Sequence, residues 1–89
     1  MRNNRTLIEN AINQLNDRYN TNYRIGIYHD LIDSLSKRTV NRIVEHLGEY
    51  ADIHCTLKGK KYVVELAEVD GEIDIMIKSQ SDYDNLYFT

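Results

Sequence analysis

Residues 51–79, ADIHCTLKGKKYVVELAEVDGEIDIMIKS, decide the fold. Three runs alternate apolar and polar residues, separated by Lys58-Gly59 and Asp70-Gly71. This pattern predicts three antiparallel strands joined by tight turns, because glycine supplies the positive φ that a two-residue hairpin loop needs. Each turn also fixes a register, and a one-residue slip would send every side chain to the wrong face. Centring the first hairpin on Lys58-Gly59 pairs Leu57 with Lys60, Cys55 with Tyr62, Ile53 with Val64 and Ala51 with Leu66. Centring the second on Asp70-Gly71 pairs Leu66 with Ile75 and Val64 with Ile77. The two hairpins agree on how the shared middle strand is oriented. One face then reads Ala51, Ile53, Cys55, Leu57, Tyr62, Val64, Leu66, Ile73, Ile75 and Ile77, and must be covered. The other carries Asp52, His54, Thr56, Lys61, Val63, Glu65, Ala67, Glu72, Asp74, Met76 and Lys78, and reads as mostly wet.

The cover lies upstream. Thr6-Leu7-Ile8-Glu9 has the capping-box pattern, and Leu7, Ile8, Ala11, Ile12, Leu15 and Tyr19 fall on one arc of a helical wheel, predicting a helix over 6–19. Tyr23, Ile25 and Ile27 alternate as in a short strand, which Gly26 weakens or bulges. Asp30 can cap a short helix bearing Leu31, Ile32 and Leu35, and Ser36 another bearing Val40, Ile43, Val44 and Leu47. One straight helix over 30–47 would rotate the apolar stripe by roughly a quarter turn, so a break is expected near Ser36. His46 and Gly48 form a helix stop. Residues 80–89 read as an acidic, aromatic tail whose last residues, Asn85 to Thr89, either dock as an edge strand or stay loose.

With 89 residues the chain is expected to form one small domain around a single core. No apolar run approaches membrane-span length and no secretory leader pattern follows Met1, so a cytoplasmic protein is expected. The single cysteine excludes an internal disulfide. Cys55 is expected to fill space in the core, with a burial-raised pKa that leaves it inert. Residues 1–61 carry ten Lys/Arg against seven Asp/Glu, a net of +3, whereas residues 62–89 carry one against seven, a net of −6. Such polarity bears on partners. The lack of proline and the wealth of Asn, Ile, Asp and Tyr suggest an AT-rich genome, as in a phage or mobile element, whose protein would work in the host cytoplasm.

The order helix, short strand, short helix, capped helix, hairpin over residues 6–68 resembles the winged helix-turn-helix family. The resemblance implies a DNA-binding regulator in which Lys37, Arg38, Thr39, Asn41 and Arg42 face the major groove and Lys58, Lys60 and Lys61 form a basic wing. Read without it, the same residues are a solvated helix face and a lysine-rich turn. The turn at Ser34-Leu35-Ser36 lacks the family's usual glycine, and a third meander strand exceeds its plan.

The wet sheet face suggests other chemistry. The register sets Asp52 opposite Glu65, with Asp74 on the neighbouring strand and His54 adjacent. Opposed carboxylates repel unless a metal ion, His54 or a partner's basic residue compensates. No nucleophile elbow, phosphate loop or Cys/His metal spacing occurs, so neither an enzyme nor a cofactor is expected. The acids, together with the aromatic tail, also fit a protein-binding surface formed by Asp52, Glu65, Glu72, Asp74, Asp82, Tyr83, Asp84, Tyr87 and Phe88. The expectation is therefore an α+β domain: a three- to four-stranded antiparallel sheet (meander 51–79), with an N-terminal amphipathic helix and a helical pair packed on one face. Its expected function is that of a small non-catalytic binding protein, an inhibitor or regulator docking on a host protein concerned with nucleic acid or defence, with the DNA-binding regulator as the alternative. The sequence leaves the oligomeric state open, a homodimer included.

Overall fold

The computed structural model describes residues 3–88. Helix α1 (Asn4–Tyr19) leads into strand β1 (Arg24–Tyr28), a turn of 3-10 helix (Asp30–Ser34) and helix α2 (Lys37–Glu45). The meander β2 (Ala51–Leu57), β3 (Lys60–Val69) and β4 (Glu72–Ser79) follows, and helix α3 (Gln80–Tyr87) ends the fold. The sheet order is β1-β4-β3-β2, so β4 and β3 are central.

Both hairpins have the register that the turns dictate, from Leu57↔Lys60 to Ala51↔Leu66 and from Val69↔Glu72 through Leu66↔Ile75 and Val64↔Ile77. Lys58 and Gly59 have φ of 52° and 78°, and Asp70 and Gly71 have 51° and 83°. Positive φ at both loop positions matches the right-handed twist of the flanking strands. Ile53, Val64, Leu66, Ile73, Ile75 and Ile77 are buried against Ile8 and Ile12 of α1, Ile32 and Leu35 of the 3-10 segment, and Val40, Ile43 and Leu47 from α2 and its exit. Burying each of these side chains is worth about 1.5–3 kcal/mol.

The helical pair breaks near Ser36, where the rotation of the apolar stripe requires it. Leu35 is extended at ψ 154°, and Ser36 caps α2 by accepting the Thr39 N–H. The start of α1 differs from the capping-box reading. The helix begins two residues earlier, with Asn3 as its cap, and Thr6 lies inside the first turn. The reason is tertiary: the buried Asn4 side chain donates to the Ile32 and Leu35 carbonyls at 2.8 and 3.1 Å. It thereby gives the Leu35 carbonyl a donor and the Ile32 carbonyl, which already accepts the Leu35 N–H, a second one, and draws the chain into helix earlier. At the other end Asn20 takes the left-handed conformation, φ 54°. The Asn16 amide then accepts the Tyr23 N–H and donates to the Tyr23 carbonyl, both at 2.9 Å, clamping the entry to β1.

Two further differences concern the sheet. Strand β1 joins it parallel to β4, not antiparallel, because the chain reaches its start from α1 and leaves through the 3-10 segment and α2 before the meander begins. Its register shifts between Ile25 and Tyr28, so Tyr28 aligns with Ile75 while Ile27, an inward residue by simple alternation, is exposed. Gly26 permits this irregularity: a Cβ there would run into the Asp74 carboxylate and lie 3.0 Å from the Glu72 Cβ. In the space left by the missing side chain, an Asp74 oxygen accepts the Ile27 N–H at 2.8 Å.

Candidate functional site: the face beneath the C-terminal helix

As far as residue 88 the tail is neither an edge strand nor a loose end. Residues 80–87 form α3, capped by Ser79, whose hydroxyl accepts the Asp82 N–H at 3.1 Å, with Asp82 in the first turn favouring the helix dipole. Thr89 lies outside the described residues. Because Ser79 closes β4 and pairs with Tyr62, the helix turns back over β4 and β3 on the face opposite the core.

That face is consequently less wet than alternation implies. Val63 is fully buried and Glu65 is 7% exposed. Tyr83 donates to Asp52 at 2.8 Å, Tyr87 donates to Glu65 at 2.6 Å, and Lys78 pairs with the other Glu65 oxygen. The repulsion expected between Asp52 and Glu65 is thus met within the chain, by two phenols and an ammonium. Burial alone would raise the Glu65 pKa, but the hydrogen bonds from Lys78 and Tyr87 outweigh it and hold the carboxyl below its ordinary value. The same contact pushes the Tyr87 hydroxyl up to about 12, chiefly through its hydrogen bond to Glu65. Tyr83 is raised in the same way by its bond to Asp52.

His54 and Asp74 share this face, but each is engaged separately. His54 Nδ1 lies 3.2 Å from Gln80 Oε1 and its ring meets Tyr83 edge-on, with centroids 5.8 Å apart. Asp74 serves the β1 bulge. Among the described residues no three His, Cys, Asp or Glu side chains are placed to share a metal ion. Cys55 is a free thiol, half-buried rather than enclosed, and burial raises its pKa against the pull of Arg42.

What α3 presents outward is aromatic and acidic. It has no buried residue, and Leu86, Tyr87 and Phe88 are 59%, 53% and 74% exposed. Tyr83 packs on Tyr87 and Phe88, with ring centroids 4.7 and 6.1 Å away. Beside Tyr87 lies an open depression of about 340 Å³ lined by Tyr50, Asp52, Glu65, Ala67, Met76 and others. Tyr50 is 77% exposed and anchored by its hydroxyl to the Glu68 carbonyl at 3.0 Å. Asp82 and Asp84 are exposed on the helix, while Glu72 pairs with Arg24 at 3.0 Å at the far side of the sheet. Asp52, Glu65, Tyr83, Tyr87 and Phe88 therefore form one cluster. Glu72 and Asp74 sit apart from it beside β1. Sequence reasoning missed Tyr50 and the helical state of the tail; the Ser79-to-Asp82 spacing, a cap followed by an acid three residues on, was the available signal.

The basic residues lie on α2 and at the first hairpin turn, where Lys61 lines a depression shared with His54 and with Gln80 of α3. Lys37, Arg38 and Asn41 are exposed on α2, as are Lys58, Lys60 and Lys61 at the first hairpin turn. Thr39 is buried and its hydroxyl sits 3.1 Å from that of Ser36. Arg42 donates to the His54 carbonyl of β2 at 3.1 Å. No helix among the described residues is long and apolar enough to cross a membrane. No family model, curated protein or solved structure matches the chain.

Proposed function

We propose that this chain is a small non-catalytic binding protein, of the kind a phage or mobile element uses as an inhibitor or regulator, that docks on a host protein through α3 and the adjoining sheet face. One observation carries the reading: α3 buries none of its own side chains, yet it displays Leu86, Tyr87 and Phe88 to solvent between Asp82, Asp84 and Asp52. Aromatic side chains give contact area at low entropic cost, and the carboxylates around them steer a basic partner. Such a surface suits a protein that normally holds nucleic acid, because carboxylates can occupy positions meant for phosphates. The test is recovery of a partner from host lysate with the full chain, with Tyr87→Ser/Phe88→Ser and with Asp82→Lys/Asp84→Lys. The partner should be retained by the first and lost by both variants; equal recovery by all three removes this surface from the reading.

The exposure of Lys37, Arg38 and Asn41 on α2 and of Lys58, Lys60 and Lys61 at the first hairpin turn supports a second reading, a DNA-binding regulator. It requires DNA retention that weakens with salt and disappears in Arg38→Ala/Arg42→Ala. Absence of DNA binding at low salt ends it.

A further inference from the structure

The sheet order makes β2 an outer strand. It is regular over seven residues, unlike β1 at the opposite edge, which has five residues and an interrupted register. In the register with β3, the tight turn makes Leu57↔Lys60 a hydrogen-bonded pair, so the peptide groups of Leu57, Cys55, Ile53 and Ala51 turn toward β3. Those of Asp52, His54 and Thr56 point outward, and the Arg42 guanidinium reaching the His54 carbonyl at 3.1 Å is consistent with this. An outer strand of this kind is a template for another strand.

We propose that β2 is the interface of a two-fold homodimer, pairing antiparallel with its own copy about His54. This pairing sets Asp52 opposite Thr56 of the partner subunit, Ile53 opposite the partner subunit's Cys55 and Ala51 opposite the partner subunit's Leu57. Polar side chains meet polar ones on the α3 face, apolar meet apolar on the core side, and the whole strand is used. About six new backbone hydrogen bonds result, two for each outward-facing pair. A shift by two residues in either direction keeps the parity but leaves part of the strand unpaired. The charges agree with the same arrangement. An antiparallel two-fold brings the Lys58–Lys61 turn of each subunit beside Glu49 and Asp52 of the other, so the basic end of one chain meets an acidic end of its copy.

Arg42 has a distinct place in this interface. Its bond to the His54 carbonyl occupies the central acceptor of the edge, and it must let go for the strands to pair. The guanidinium therefore holds the dimer weak without removing it. Losing Arg42 should strengthen association, which a merely structural role would not predict.

The test is register-specific cross-linking of the full chain in a Cys55→Ser background, read by non-reducing electrophoresis after mild oxidation. Directly opposed residues on paired strands lie about 5.5 Å apart at Cα, within disulfide reach. His54→Cys alone should yield a covalent dimer. Asp52→Cys alone and Thr56→Cys alone should not, while an equimolar mixture of the two should. Sedimentation equilibrium should show a dimer that Thr56→Pro abolishes with unchanged circular dichroism, since only an outward N–H is removed, and that Arg42→Ala tightens about tenfold. A chain that stays monomeric at every concentration and whose mixed variants fail to cross-link overturns the proposal. So does Asp52→Cys cross-linking with itself as readily as with Thr56→Cys.

Discussion

The two faces of the sheet are closed by opposite means. On one side α1, the 3-10 segment and α2 bury a continuous set of Ile, Leu and Val side chains against the meander. On the other, α3 is joined to the sheet through hydroxyl–carboxylate hydrogen bonds from Tyr83 and Tyr87 and buries no residue of its own. Apolar burial is non-directional and responds little to pH, whereas charged hydrogen bonds depend on protonation and on a few defined atoms. The first face therefore holds the fold and the second holds a helix in place for use. Ile43→Ala should give the largest effect, a loss of about 2–5 kcal/mol in denaturant unfolding, because Ile43 is fully buried and the rigid neighbours cannot fill the space. If the α3 face carried the fold equally, Glu65→Gln would match it.

Gly26→Ala comes next and probes the boundary between the two regions. Its Cβ would displace the Asp74 carboxylate from the Ile27 N–H, at a cost of about 1–3 kcal/mol by overpacking. Chemical shift changes should centre on β1 and Asp74 and leave α3 as it was. A neutral substitution would mean that the β1 edge adjusts freely and that the bulge is not held by this contact.

The meander was legible to the residue, since two glycine turns imposed two registers that had to agree on β3. The break at Ser36 was equally legible, because a continuous helix would have turned its apolar stripe away from the sheet. What escaped was set by contacts far apart in sequence. Nothing local shows that Asn4 will reach the Ile32 carbonyl and start α1 early, or that Asn16 will clamp Tyr23. The parallel placement of β1 depends on the path of the whole chain rather than on RIGIY itself. At the candidate site the acids were identified correctly as opposed, but their compensation came from Tyr83, Tyr87 and Lys78. Lys78 was within reach of the derived register, which sets it diagonal to Glu65 on the same face. The two tyrosines become visible only when the tail is read as a helix, and its short, weakly apolar sequence obscures that.

Glu65 is where the second face can be tested directly. Glu65→Gln keeps the shape but removes the charge that Lys78 and Tyr87 bind, and should lose about 1–2 kcal/mol at neutral pH, less than the core substitution. The sign of the pH dependence follows from the depressed carboxyl. The unfolded side chain takes up a proton near pH 4.3, its ordinary value, while the folded one resists. The stabilisation is thus complete above that value and disappears as the pH falls through the lower folded pKa. Wild-type stability should fall more steeply with acid than that of Glu65→Gln, and Ile43→Ala should keep the wild-type slope. Parallel acid profiles for wild type and Glu65→Gln would show that Lys78 and Tyr87 do not hold the carboxylate.

Tyr87→Phe should have the smallest effect on global stability, because the ring is more than half exposed and only its hydroxyl is removed. Its value lies in where the change appears. Amide exchange should quicken in α3 while the amides of α1 and the meander keep their protection, since the helix loses one of its polar attachments but the core is untouched. The acid profile should also flatten partway toward that of Glu65→Gln, because one of the two hydrogen bonds that keep the Glu65 carboxyl low is gone. At high pH the wild-type contact, present below the ordinary tyrosine value near 10, should fail as the pH rises through about 12. Tyr28, hydrogen-bonded to Asp33 beside the core and raised above its ordinary value mainly by burial, also titrates late, so the alkaline limb mixes both regions. The difference in acid limb between wild type and the variants, together with α3 exchange, reads the second face, and unchanged exchange in Tyr87→Phe would place the helix's attachment in Tyr83 and the cap at Ser79 instead.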